Sequence, residues 1–391
     1  MKKIVVAPDS FKGSLTSAEV ADAVERGIKD VFPQCNVVKA GVADGGEGTV
    51  EAIVKAVGGD MYAASVTDPL GRPVKAAYGI VRSGGVKTAV MEMSAASGLP
   101  LLLPDELNPW ITSTYGTGEM ISDALNRGCR KFLVGIGGSA TNDAGTGMLS
   151  ALGVRFLDSR GQRLKGCGRD LESIARIDMS SLMPAARESE FIVACDVNTP
   201  FCGPDGAARV FAPQKGADPQ TAEALDRGMR SFARVIAEQF QTDIVPLSGA
   251  GAAGGLGGAF KAFLNARLTA GIEMVLDAIA FDSLLEGASL VITGEGRIDA
   301  QTAAGKTAAG VLRHAARKGI PVIAIGGSVV MCRELKEMGF IGIYSIINAP
   351  VSLEQAMRQD WATARIRCTV EQILTTMKHC AGTLLFQKGG D

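Results

Sequence analysis

A chain of 391 residues exceeds what one hydrophobic core usually supports, so two domains are expected, and 47% hydrophobic against 21% charged residues is the balance of a globular protein, not a disordered or fibrous one. Lys and Arg total 40 against 41 Asp and Glu, a net charge of -1 with no basic stripe, which argues against nucleic acid as a partner. Eight cysteines without a single C-x-x-C pair give no sign of a zinc ribbon or disulfide framework and read as reduced, mostly buried thiols.

The first segment reads MKKIVVAPDS, and its apolar run Ile4 to Ala7, closed by Pro8-Asp9, is too short for a signal peptide and reads as a strand. No stretch reaches the ~20 apolar residues of a spanning helix, so a cytoplasmic protein without a membrane partner is expected. Thr16 and Glu19 fit a capping box ahead of a helical stripe at Val20, Val24, Ile28 and Val31. A second strand near Val37 to Val42 leads through ADGGEGT into a helix carrying Val50, Ile53, Val54 and Val57, which stops at Gly58-Gly59.

A long middle section opens at the Pro- and Gly-rich TDPLGRPV and carries strands at Lys131 to Ile136 and Phe191 to Ala194. The strand Leu290 to Thr293, a glycine-rich loop, a helix over Thr307 to Lys318 and the strand Pro321 to Ile325 then return to the opening grammar. Alternating strands and helices predict an α/β fold with parallel sheets. The expected division is a discontinuous α/β domain from residues 1–62 and 287–391, an inserted α/β domain over 63–286, and an active site in the crevice between them.

Several loops after strands gather groups suited to phosphate, which asks for clustered N–H donors, a helix N-terminus and a cation. The first, Asp9 to Ser14, supplies Ser10, Lys12 and Gly13, and reads either as a phosphate loop or as an ordinary capped turn. The second, Ala43 to Thr49, sets Asp44 and Glu47 among Gly45, Gly46 and Gly48; the carboxylates either hold magnesium or only complement the helix dipole. The third, Ile136 to Gly145, brings Gly137, Gly138, Ser139, Thr141, Asn142 and Asp143 together after a buried strand and is the best single candidate. The fourth, Gly294 to Thr307, ends in Gly305-Lys306-Thr307 like a relaxed Walker A element, with seven residues between strand and spacer that argue against a P-loop fold.

Three further features carry weaker signals. Gly249 to Gly254 spells G-x-G-x-x-G after a strand-like Thr242 to Leu247, but Pro246 interrupts that strand, so a dinucleotide reading is poorly supported. Asp196 ends a strand, where it either serves magnesium or the substrate hydroxyl or starts the Asn198-Thr199-Pro200 turn; Gln214-Lys215-Gly216 follows. The two histidines, His314 and His379, lie near no nucleophile and are expected at the surface.

Together APDSFKGSLTS, VADGGEGT, DPLGRPV, NPWITSTYGTGE, IGGSATNDAGTGM, ACDVNTPFCGPDGAA, PQKGA, GAGAAGGLGGA and ITGEGRIDAQTAAGKT, running from the first strand to about Ser328, resemble the bacterial glycerate kinase family, the group that includes glycerate 2-kinases. Ala144, Thr146 and Thr199 depart slightly from its pattern. The resemblance implies an enzyme dependent on ATP and Mg2+ that phosphorylates D-glycerate to 2-phosphoglycerate in organic and sugar-acid catabolism, with two α/β domains.

Phosphoryl transfer needs lysines on phosphate, carboxylates on magnesium and a carboxylate near the attacking hydroxyl. The expected catalytic residues are therefore Lys12, Asp196 and Asp299. Ser10, Gly45, Gly46, Gly137, Gly138, Ser139, Thr141, Asn142, Gly294, Gly296 and Lys306 are expected at the nucleotide phosphates. Arg297 and Asp143 are expected at the substrate, and Asp44, Glu47 and Glu295 at the metal. The protein is expected as a monomer or homodimer. An NAD-linked hydroxy-acid dehydrogenase using the Gly249 loop and a non-catalytic metabolite-binding protein are the alternatives.

Overall fold

The computed structural model describes residues 1–83 and 85–387. In chain order its strands are β1 (Lys3–Pro8), β2 (Asn36–Lys39), β3 (Gly59–Thr67), β4 (Pro73–Ser83), β5 (Val86–Glu92), β6 (Lys131–Gly135), β7 (Arg155–Leu157), β8 (Arg176–Asp178), β9 (Glu190–Ala194), β10 (Arg267–Thr269), β11 (Leu290–Ile298), β12 (Val322–Val329) and β13 (Gly342–Ser345). The chain forms two compact units, one from residues 1–44 with 275–391 and one from 45–274. Among the described residues no helix is long and apolar enough to cross a membrane.

The boundaries fall earlier than the sequence suggests. The helix Thr49–Val57 belongs to the continuous unit: its Val50 N–H donates to Glu92 Oε1 at 3.1 Å, and Val54 fills the space that a Cβ at Gly79 would need. Residues 275–286 fall in the discontinuous unit, where Asp282 meets His314 Nδ1 at 2.8 Å. That contact also corrects the expectation for His314, which is 5% exposed and packed against Phe281. His379 is exposed.

In the discontinuous unit the sheet order is β13-β12-β11-β1-β2, parallel throughout. The run Ile4 to Ala7 is fully buried because β1 is an interior strand, pairing Ile4 with Leu290 of β11 and with Val37 of β2. A strand covered on both faces reads as a continuous apolar run. The helix Ser17–Val31 starts at the expected capping box, with Thr16 and Glu19 exchanging both bonds, and packs along the C-terminal helix Gln359–Gln387. The Gly294 to Ile298 segment, read as loop from its glycines, continues β11: Glu295 pairs with Gly326 and Arg297 with Ser328 of β12.

The continuous unit holds the sheet β10-β9-β6-β5-β4-β3, parallel from β10 to β5 and antiparallel over β4 and β3, plus the β7-β8 pair. Its core stacks Phe132 on Phe191 at 4.6 Å, with Phe260 beside them. Thr242 to Leu247 is not a strand; Asp243 closes a turn by accepting from Val245 N at 3.0 Å. The glycine run instead opens the helix Ala252–Leu264 through left-handed residues 253–255. A Cβ at Gly254 would strike the Thr141 carbonyl, and Gly254 O accepts from Ala144 N at 2.9 Å. Those glycines serve backbone-to-backbone packing, and without a preceding strand the dinucleotide fingerprint has no frame.

Candidate functional site

The order of the first sheet fixes where chemistry can gather. From β1 the chain moves outward to β2, whereas β11 leads the opposite way to β12 and β13. Neighbouring strands whose connections diverge leave a crevice beyond their carboxyl ends, the usual ligand position in open α/β sheets. Asp9 directly follows β1 and Glu295 lies just past the last β1–β11 pair, Pro8 with Gly294. Both carboxyl groups therefore face one point, and a cavity of about 330 Å³ lies there.

Its charged end brings together Asp9, Ser10, Lys12, Asp44, Glu295 and Lys306. Asp9 Oδ2 accepts from Thr307 Oγ1 at 2.7 Å, and Glu295 Oε1 from Thr302 Oγ1 at 2.6 Å. Lys12 Nζ stands 4.0 Å from Asp44 with its side chain 67% exposed, so it is a solvated cation at the rim. Lys306 is the N-cap of the helix Thr307–Arg317 and no side chain caps that helix, so its first-turn amides add partial positive charge at the same place.

Burial pushes the Asp9 carboxyl above its ordinary range, opposed by the Thr307 hydroxyl and reinforced by Asp44. Burial likewise raises Glu295 to about 7, opposed by Thr302 and Lys306 and reinforced by Asp9 and Asp44. Carboxylates that repel one another in a partly dry cavity gain from a cation. Among the described residues no three His, Cys, Asp or Glu side chains close on one metal position. The donor set fits Mg2+, which keeps waters and phosphate oxygens and asks one or two carboxylates of the protein.

The other expected residues of this unit lie nearby with different duties. Gly296 and Arg297 line the cavity, and Arg297 pairs with Asp299 at 2.9 Å. Asp299 does not line it; its carboxylate caps the turn Ala300–Ala303 by accepting from Gln301 N at 2.9 Å. Gly294 lends its carbonyl to Asp9 N at 2.8 Å. Two larger hollows over the outer face of the Ser17–Val31 helix hold charges already paired, Lys39 with Asp22 and Glu25 at 2.7 Å each and Arg367 with Asp30 at 2.6 Å.

In the continuous unit, Gly137, Gly138 and Asp196 are exposed beyond the carboxyl ends of β6 and β9. Asp196 accepts from Gly271 N at 2.9 Å. Gly45 is a packing glycine, since a Cβ there would sit 2.6 Å from Ala194 Cβ, and Gly46 runs beside Gly137. Glu47 is exposed and belongs to this unit, whereas Asp44 and Glu295 belong to the other.

Asp143 and Asn142 are corrections. Asp143 is fully buried and accepts from Thr114 N and Oγ1 at 2.7 Å each, Gly145 N at 3.1 Å and Gly147 N at 3.2 Å. A carboxylate with four donors folds its own loop and has no face left for substrate. Asn142 is also fully buried, its amide nitrogen on Met229 Sδ.

Ser139 and Thr141 are held by a residue to which the sequence assigned no role. Lys215, 2% exposed, donates to Ser139 Oγ at 3.1 Å and to Thr141 O at 2.6 Å. The sequence likewise assigns no role to Asp9 and Thr307, although the strand end and the Gly-Lys-Thr triplet both point at them.

The glycerate kinase family model matches residues 4–378. A glycerate kinase of Halalkalibacterium halodurans is 47% identical over 92% of this chain and 94% of its own length. A glycerate 2-kinase of Escherichia coli K12 is 44% identical over 91% and 93%. Among solved structures, a Salmonella typhimurium LT2 protein assigned as glycerate kinase 2 superposes with a TM-score of 0.88 at 44% identity, covering 97% of this chain and 99% of that one. With the match spanning both units and every quoted loop, the chain belongs to the glycerate kinase family.

Proposed function

We propose that this chain is a cytoplasmic kinase that transfers the terminal phosphoryl group of ATP to D-glycerate, giving 2-phosphoglycerate, with the phosphates held at the charged end of the β1/β11 cavity. The observation that carries this reading is the meeting of Lys12, Lys306 and the uncapped helix Thr307–Arg317 with Asp9, Asp44 and Glu295 at a topological switch point. Cations and amides stabilise spread phosphate charge, and the carboxylates suit Mg2+ arriving with the nucleotide. Bound there, the ion would neutralise charge on the phosphate oxygens. Membership in a family with a glycerate 2-kinase relative supports substrate and product.

Within this reading Lys12 and Lys306 bear on the phosphates, and Asp9 is the buried carboxylate best placed to orient a hydroxyl or the ion. Arg297 is the guanidinium at the cavity that suits the glycerate carboxylate. An ADP-coupled assay with D-glycerate, L-glycerate and hydroxypyruvate tests the activity, and a nicotinamide absorbance assay without ATP tests the dehydrogenase alternative. Lys12→Met is expected to lower turnover at least about a hundredfold by removing a transition-state cation. Its thermal midpoint should stay near wild type because the side chain is exposed. Undiminished turnover would remove Lys12 from the site.

A further inference from the structure

The charged end accounts for only part of the cavity. The remainder runs along the last residues of β12, at Gly327 and Ser328, and past the carboxyl end of β13, at Ile346 and Ile347, to the short helix Leu353–Met357 and Trp361. This half is apolar. Phe11, Leu353, Met357 and Trp361 are among its lining. Leu353 is 77% exposed and Ile347 38%, although both line a concave surface. Large aliphatic groups left wet beside a charged pocket are unfavourable unless something apolar covers them.

We propose that this apolar half is the nucleobase subsite of the same nucleotide whose phosphates lie between Lys12 and Lys306, a reading that rests on the function proposed above. The sheet sets the distance. From the β1/β11 boundary to the β12/β13 boundary is two strand spacings, about 10 Å, a gap that a ribose and its attached phosphate bridge. A cavity with one charged end and one apolar end fits a ligand of the same polarity, and a planar base suits the aromatic and thioether groups of Trp361 and Met357.

Recognition of the base here is by shape and stacking. The nearby backbone is already engaged: Ile346 N donates to Gly326 O at 3.0 Å, Ile347 N to Ser345 Oγ at 3.1 Å, and Ser345 Oγ to Gly327 O at 3.3 Å. Contacts with Leu353 and Ile347 therefore carry most of the preference for a nucleotide over bare phosphate.

The test uses the full chain with Leu353→Asn, Ile347→Asn and the double variant, neutral changes at exposed positions that leave the phosphate end intact. Binding of ATP and of inorganic tripolyphosphate is measured by calorimetry, alongside the KM for ATP at saturating D-glycerate. Each single variant should weaken ATP binding about tenfold, the scale of losing one apolar contact. The double should weaken it more, with tripolyphosphate affinity within about twofold of wild type on the same scale. Equal loss for both ligands, or no loss for ATP, overturns the subsite. The binding arms read it even if D-glycerate proves not to be the acceptor. Failure of the phosphate reading is separately visible as unchanged tripolyphosphate binding in Lys12→Met/Lys306→Met.

Discussion

Lys215 is a buried cation whose ammonium meets a hydroxyl and a carbonyl, with no carboxylate within 4.0 Å among the described residues. Burial lowers its pKa from 10.5 to about 7, and Asp143 only partly opposes that. Between those values the unfolded chain binds a proton that the folded chain does not, so stability from this group rises with pH across that window. At pH 7 and below the folded state carries the full cost of the buried charge, of order a few kcal/mol. Lys215→Met should flatten this slope. Denaturant midpoints of both proteins from pH 7 to 10 measure it as a difference, which cancels the opposite slope from buried thiols such as Cys129 and Cys202, whose pKa values burial raises. Parallel curves would refute a Lys215 whose pKa burial lowers. The sequence could not reveal this role, because Gln214-Lys215-Gly216 reads as a turn cation and periodicity is silent on a charge buried by distant segments. Lys12 and Lys306 are expected from their loops and line one cavity, whereas Asp9 acquires its setting only when β11, nearly 290 positions away, docks beside β1. For Asp143, spacing marked a polar loop but not whether the carboxylate faced outward or inward.

Where one element crosses another, a single atom decides the outcome. Helix Ser17–Val31 lies against Gln359–Gln387 at Gly27, where an added Cβ would stand 2.6 Å from Arg367 O and 2.8 Å from Val370 Cβ. Gly27→Ala should gain up to about 1 kcal/mol of helix propensity but lose about 1–3 kcal/mol to overpacking against backbone that cannot swing away. Net destabilisation is expected, read as a lower thermal midpoint. A raised midpoint would mean that the helices separate at little cost. The same helix shows what local sequence carries well: its capping box and apolar stripe both appear as expected. Segments with glycines at their ends were harder. Gly294 to Ile298 pairs with β12 despite two glycines, and Thr242 to Leu247 stays irregular despite its β-branched residues. Ladder partners decide both cases, and partners lie outside any local window.

At the scale of the whole chain, the recurrence of strand-loop-helix grammar at both ends pointed to a body built from two separate segments. The cut after Asp44 was not legible, because helix Thr49–Val57 follows β2 in sequence yet buries its apolar face on β4 and β5. Discontinuity has a thermodynamic consequence. β1 is an interior strand of its sheet, bonded to β11 on one side and β2 on the other, and comes from the short N-terminal segment, so residues 275–391 alone lack the strand that covers the free edge of β11. Exposing the buried faces of Leu290 and Ile292 and leaving β11 as an open edge removes burial that a unit of this size needs. Residues 45–274 are continuous and hold a complete sheet with its own aromatic core. Expressed separately, 45–274 should unfold cooperatively in denaturant, whereas 275–391 should show broad, weakly protected hydrogen exchange until residues 1–44 are added in trans. Cooperative unfolding of 275–391 by itself would mean that β1 is dispensable to the three strands on its β11 side.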